Sequence, residues 1–274
     1  MTKDEKWVNP IIHDRQVVGR VFNWMKENGI HKNKFKKPDD LTILTCRNKG
    51  EMHRATLIPS LSEYTEVSIL ESNLKYLGID LVVLTEEYEG PWRCTYKLKW
   101  INDYLQSGKC DTEYFMFCDA VDVIFQDDPQ RVIDIFKTFD CDMLCMSTDG
   151  LDGYDCMPDV KKFIDKTNNY NGRYLNSGIY IGKTEFIKEF MKETMKYVSP
   201  DDVTFEQYYK EYLPSKPSDY PHKAQDQDIF RFLEPKFYPR LKVDYENLMA
   251  YRTWSGVPSG HGLVLNTEGH EIVK

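Results

Sequence analysis

Between residues 41 and 147 short apolar runs alternate with amphipathic stretches, and this alternation leaves few folds open. LTILTC (41–46), DLVVLT (80–85), EYFMFC (113–118) and CDMLCMS (141–147) have strand length and strand composition. SEYTEVSILESNLKYLG (62–78) carries Val67, Leu70, Leu74 and Leu77 on one helical stripe and stops at Gly78. TYKLKWINDYLQSG (95–108) does the same with Leu98, Ile101 and Leu105, capped by Gly108. Asp128-Pro129 has the form of an N-cap followed by a proline in the first helical position. Strands alternating with helices at this spacing predict an α/β fold: a mostly parallel sheet with helices on both faces.

The flanking parts follow this pattern less closely. Residues 1–40 are polar and read as an N-terminal extension, with one helix around Val17 to Glu27 and a lysine cluster, HKNKFKK, at 31–37. The second half is looser. YLNSGIYIG (174–182) predicts a bent strand pair interrupted at Asn176-Ser177-Gly178, where the alternative is simply a bulge, and Thr184 is placed as the cap of a helix running to about Val198. A connection rich in Pro, Tyr and Asp (199–221) leads to a helix over AQDQDIFRFL (224–233). Residues 41–150 thus form one half of a domain and 151–274 the other.

Charge and cysteine content narrow the partners. A net charge of −8 provides no broad field for nucleic acid or an anionic membrane. The seven cysteines are scattered without metal-type pairing, and Cys118, Cys141 and Cys145 lie in apolar runs, as buried free thiols do. Neither a leader nor an apolar run of spanning length stands out, so the expectation is a cytoplasmic protein.

The chemistry concentrates where the third strand ends. In FCDAVDVIF, Asp119 and Asp122 follow five apolar residues, Tyr114 to Cys118. A strand covered on both faces has no room for unpaired carboxylates, so the acids belong at its exposed end. In an open α/β sheet ligands bind beyond the carboxyl ends of the strands. A turn at Ala120-Val121 would bring the two side chains together as a site for Mg²⁺ or Mn²⁺; without it they are loop acids capping local amides.

The blocks FMFCDAVDVIF, YLNSGIYIG, AQDQDIF and, more weakly, LTEEYEGPWRCTYKLKW occur in an order and spacing that resembles the nucleotide-sugar glycosyltransferases of the GT-A fold. The nearest resemblance is to the glycosyltransferase domain of the procollagen lysyl hydroxylases and to the procollagen galactosyltransferases, over approximately residues 41–250. It implies a GT-A, Rossmann-like domain over 41–274. It implies an Mn²⁺ or Mg²⁺ ion held by Asp119 and Asp122 through a variant DxD motif, bridging the diphosphate of a UDP-sugar donor. It also implies that Lys97 lies near that diphosphate, that Trp92 and Thr45 contact the donor, and that Asn176, Ser177 and Gly178 face the sugar. Asp226 and Gln227 match the acidic pair that faces the donor sugar, Asp226 being a candidate base for the acceptor hydroxyl.

Three departures accompany the resemblance. Val121 stands where the family often stacks an aromatic residue on uracil, and Gln225 stands where it has the first acid of a pair. The family's third metal ligand is a histidine in a late His-Gly-Asn-Gly segment; His261-Gly262 is the candidate here, without the Asn-Gly. The iron site of the hydroxylases has no counterpart. The acceptor implied is a hydroxyl on a modified protein side chain, a glycan or a hydroxylated nucleobase, with 199–221 as the segment to contact it. Two other readings remain at this level: a sugar-nucleotide or glycan binding module without chemistry, and a phosphohydrolase with an aspartyl nucleophile, whose Asp-x-Asp spacing fits poorly.

Overall fold

The computed structural model describes residues 9–15, 17–85, 94–149, 157–168, 173–198 and 226–251. Its main sheet has six strands. In chain order they are β2 (Leu41–Arg47), β3 (Val82–Thr85), β4 (Tyr114–Cys118), β6 (Met143–Asp149), β7 (Arg173–Lys183) and β8 (Leu241–Asp244), arranged β3-β2-β4-β7-β6-β8. β2 runs parallel to β3 and β4, and β6 runs parallel to β8. Only β7 is antiparallel to its neighbours β4 and β6, so the sheet is mostly parallel, as expected. A smaller sheet pairs β1 (Ile11–His13) antiparallel with β5 (Val123–Phe125) and parallel with β9 (Ala250–Tyr251).

Side-chain alternation explains why both faces are covered. On β4, Tyr114, Met116 and Cys118 join one apolar cluster, while Phe115 and Phe117 join the other. The first cluster holds helices α1 (Val18–Glu27), α3 (Ile69–Leu77) and α5 (Pro129–Thr138). The second holds α4 (Cys94–Gln106), α6 (Pro158–Thr167), α7 (Thr184–Thr194) and α8 (Asp226–Phe237). All five β4 residues are buried, which is what a central strand with period-two packing on both sides requires. A further short helix, α2, spans Lys49–Thr56.

Local signals set the helix ends. The helix expected over 62–78 begins at Ile69, because Ser68 and Glu71 form a reciprocal capping box, each side chain bonding the other's backbone N–H. Val67 is left outside the helix and exposed. Gly78 ends it in the left-handed region (φ 86°). Asp128 caps α5 by accepting from the Gln130 N–H, with Pro129 following. Thr184 is the first residue of α7 and not its cap, and α7 ends at Thr194.

Two findings bear on the site. Residues 9–40, set apart as an extension by their polarity, pack into the body: β1 lies between β5 and β9, and Val18, Val21, Phe22 and Met25 of α1 join the first core. The expected strand pair over 174–182 is one continuous strand with a bulge. The β6–β7 register jumps from Cys145 opposite Tyr180 to Met146 opposite Asn176, so Ser177, Gly178 and Ile179 have no β6 partner in that register. No helix among the described residues is long and apolar enough to cross a membrane.

Candidate active site at the end of the central strand

Asp119 is the first residue past β4, and its N–H bonds the carbonyl of Gly178 across on β7 (2.8 Å). The chain then turns through Ala120 and Val121 and re-enters as β5, which brings Asp122 back towards Asp119. Between the two carboxylates stands His13, at the end of β1. His13 Nε2 lies 3.2 Å from Asp122 Oδ1 and 3.8 Å from Asp119 Oδ2. One ligand atom from each of His13, Asp119 and Asp122 falls within 4.8 Å of the others, a separation that one divalent cation can span.

The outer oxygen of each carboxylate is engaged by a cation. Lys97 Nζ, from α4, lies 2.9 Å from Asp119 Oδ1 and 2.7 Å from Asp226 Oδ2 at the start of α8. Arg15 Nη2 lies 3.3 Å from Asp122 Oδ2. Burial works against the charge of Lys97, yet Asp119 and Asp226 outweigh it and hold the ammonium well above the ordinary lysine range. Asp122 raises the guanidinium of Arg15 in the same way. Within this ion-paired set three carboxylates face two permanent cations, leaving one net negative charge. A divalent ion would reverse that sign and present a net positive charge to a diphosphate.

Gly178 allows these groups to meet. A Cβ there would run into the His13 ring at Cε1, would lie 2.5 Å from Asp119 Oδ2 and 2.9 Å from Asn176 Oδ1. The bulge is closed by Asn176, whose Oδ1 accepts from the Gly178 N–H (2.8 Å) and whose Nδ2 donates to Gln227 Oε1 (2.7 Å). Ser177 Oγ donates to Asp226 Oδ2 (2.5 Å). Asn176, Ser177, Asp226 and Gln227 therefore form one hydrogen-bonded wall linking β7 to α8, next to the acids.

The structure thus brings Asp119, Asp122, Lys97, Asn176, Ser177, Gly178, Asp226 and Gln227 together. Lys97 is 5% exposed, and its Nζ sits 5.2 Å from the Phe117 ring centroid. Thr45 is fully buried and donates to the Cys118 carbonyl (2.7 Å), steadying the end of β4. Val121 is buried within the first apolar cluster. Trp92, Gln225 and His261 lie outside the described residues. His13 and Arg15 are the residues that sequence reading missed. IIH is a short strand ending in a histidine, but its polar surroundings hid it.

The donor set, two carboxylate oxygens and one imidazole nitrogen within 4.8 Å of one another, fits a hard or borderline divalent ion. None of the curated proteins matches this chain. Among solved structures, a glycosyltransferase involved in the glycosylation of the major capsid of PBCV-1 aligns with 11% identity, covering 74% of this chain and 81% of that one. Its TM-score is 0.35, at which the likeness carries no argument. The family model of the PLOD GT domain matches residues 62–233, a span that includes Lys97, both turn aspartates, the β7 bulge and Asp226. On that match the chain belongs to the glycosyltransferase-domain family of the procollagen lysyl hydroxylases, and its α/β architecture is of the GT-A type.

Proposed function

We propose that this protein is a metal-dependent glycosyltransferase that takes a sugar from a UDP-sugar and gives it to a hydroxyl acceptor: a modified protein side chain, a glycan or a hydroxylated nucleobase. Family membership supports sugar transfer in general. The observation that carries the finer reading is the convergence of Asp119 and Asp122 at the carboxyl end of the central strand, beside a buried, charged Lys97.

Asp119 and Asp122 would hold Mn²⁺ or Mg²⁺. When bound, the ion supplies charge where negative charge builds on the leaving diphosphate. Lys97 is held protonated by its two carboxylates, so its Nζ adds a fixed positive charge beside the same point without reorganising. Asp226 is oriented by Lys97 and by the Ser177 hydroxyl, which leaves its other oxygen to face a sugar hydroxyl or the acceptor proton. The Asn176–Gln227 amide pair fixes the bulge and with it the height of the wall against which the sugar would sit. Positioning and charge placement account for much of the acceleration in this scheme.

A screen of UDP, GDP, CDP and TDP sugars with Mn²⁺, read as nucleotide release, tests the reading. Release from a UDP-sugar that is lost in Asp119→Ala and on chelation is expected. Tight UDP–Mn²⁺ binding with no hydrolysis or transfer would replace it with the binding-module reading.

A further inference from the structure

The span matched by the family model starts at residue 62, so β1 and β2 both lie before it. Yet β1 delivers an imidazole to the point where the two aspartates converge. We infer that His13 is the third protein ligand of the metal, carried in from the N-terminal side of the matched span, and that β1 is part of the active site. This rests on the reading that Asp119 and Asp122 hold a divalent ion.

Four features of the geometry support the assignment. His13 is 1% exposed although its ring meets two carboxylates, a placement with little purpose for a merely solvated histidine. Its Nε2 faces the inner oxygens, Asp122 Oδ1 at 3.2 Å and Asp119 Oδ2 at 3.8 Å, whereas the outer oxygens are already taken by Arg15 and Lys97. The opposite ring nitrogen, Nδ1, lies 2.9 Å from Met146 Sδ on β6. With Met146 on the Nδ1 side, it is the Nε2 edge of the ring that is turned to the acids. Finally, the backbone fixes the ring: His13 pairs with Val123, one residue past Asp122, and Gly178 has no side chain where the ring lies.

The assignment also bears on the choice between the two ions. Mg²⁺ is the harder cation and dehydrates reluctantly, so a nitrogen donor among the carboxylates favours Mn²⁺, the first-row transition ion, over it. The protein should therefore bind Mn²⁺ more tightly than Mg²⁺.

Electron spin echo measurements on the full chain loaded with Mn²⁺ alone, and again with UDP present, test the inference. The expected result is a ¹⁴N modulation from a coordinated imidazole that vanishes in His13→Ala, persists in His261→Ala and changes pattern when histidine is labelled with ¹⁵N. Titration of Mn²⁺ should show a loss of at least about 10-fold in affinity in His13→Ala. His13→Gln, which keeps much of the side-chain volume, covers the case in which His13→Ala fails to fold and should lose the same modulation. Mn²⁺ bound in an Asp119-dependent way without ¹⁴N modulation, or with modulation that depends on His261, would overturn the role of His13 and leave the aspartate pair standing. No Mn²⁺ binding by the unaltered protein, with or without UDP, would remove both.

Discussion

Replacing Lys97 with methionine is the most informative single perturbation of the acidic site. The ammonium touches Asp119 at 2.9 Å and Asp226 at 2.7 Å, and the side chains of Lys97 and Asp226 are 6% and 4% exposed. At an effective dielectric constant of about 20, each contact carries an attraction on the order of 6 kcal/mol, which desolvation of the three charges largely offsets. Truncating one member of such a set leaves the others uncompensated, at a cost of about 3–5 kcal/mol. At roughly 2–4 °C per kcal/mol, the melting midpoint of Lys97→Met should fall by about 6–20 °C. Asp226→Asn should cost less, because Lys97 keeps Asp119, and the double variant Lys97→Met/Asp226→Leu should recover a large part of the loss. The pH dependence follows from the direction of the shift. A lysine whose folded-state pKa is raised contributes fully below its unfolded value of about 10.4 and loses that contribution as pH climbs through the folded value. The contribution of the ammonium itself should thus hold up to about pH 10 and be lost only in stronger alkali, while towards acid the gap narrows as the carboxylates left uncompensated in Lys97→Met take up protons. Differential scanning calorimetry across pH measures both. A midpoint for Lys97→Met within about 2 °C of the parent would refute the buried triad.

Gly178→Ala should leave the sheet folded but push apart His13, Asp119 and Asn176, costing about 1–3 kcal/mol by denaturant titration and weakening Mn²⁺ binding in the same preparation. Chelation should abolish nucleotide release and added Mn²⁺ should restore it; turnover that continues in excess chelator would end the metal reading. Asp122→Asn should lose Mn²⁺ binding by calorimetry while its far-ultraviolet circular dichroism stays unchanged. Burial pushes the thiols of Cys46 and Cys118 up, and that of Cys94 up to about 12, so these three should resist Ellman's reagent at pH 8 until the protein is unfolded.

Much of the sheet could be read from residue patterns, because β4 is apolar at every position and β2 and β6 each carry four apolar residues in seven, and a strand buried on both faces is rich in such residues in any context. The two turn aspartates could be read for the same reason, since charge directly after such a run has nowhere to go but its end. Lys97 is harder to read. Helical spacing places it on the buried face with Leu98 and Ile101, but only the positions of Asp119 and Asp226 explain how an ammonium can be tolerated there. At Asn176-Ser177-Gly178 the residues suit a turn between two strands or a bulge in one, because Asn-Ser-Gly has turn chemistry, and only the pairing of β7 with β4 and β6 decides for the bulge. β1 escaped for a different reason: three residues are too few for periodicity to register, and both partners are remote in sequence.

That remoteness affects how the molecule assembles. β1 cannot complete its hydrogen bonds until Val123–Phe125 and Ala250–Tyr251 have both arrived, so its sheet closes only when widely separated parts of the polypeptide have been brought together. Such non-local closure is slow, because loop entropy is lost before any contact is gained. The imidazole is therefore expected to join the acids late in folding, and a bound paramagnetic ion would report that moment.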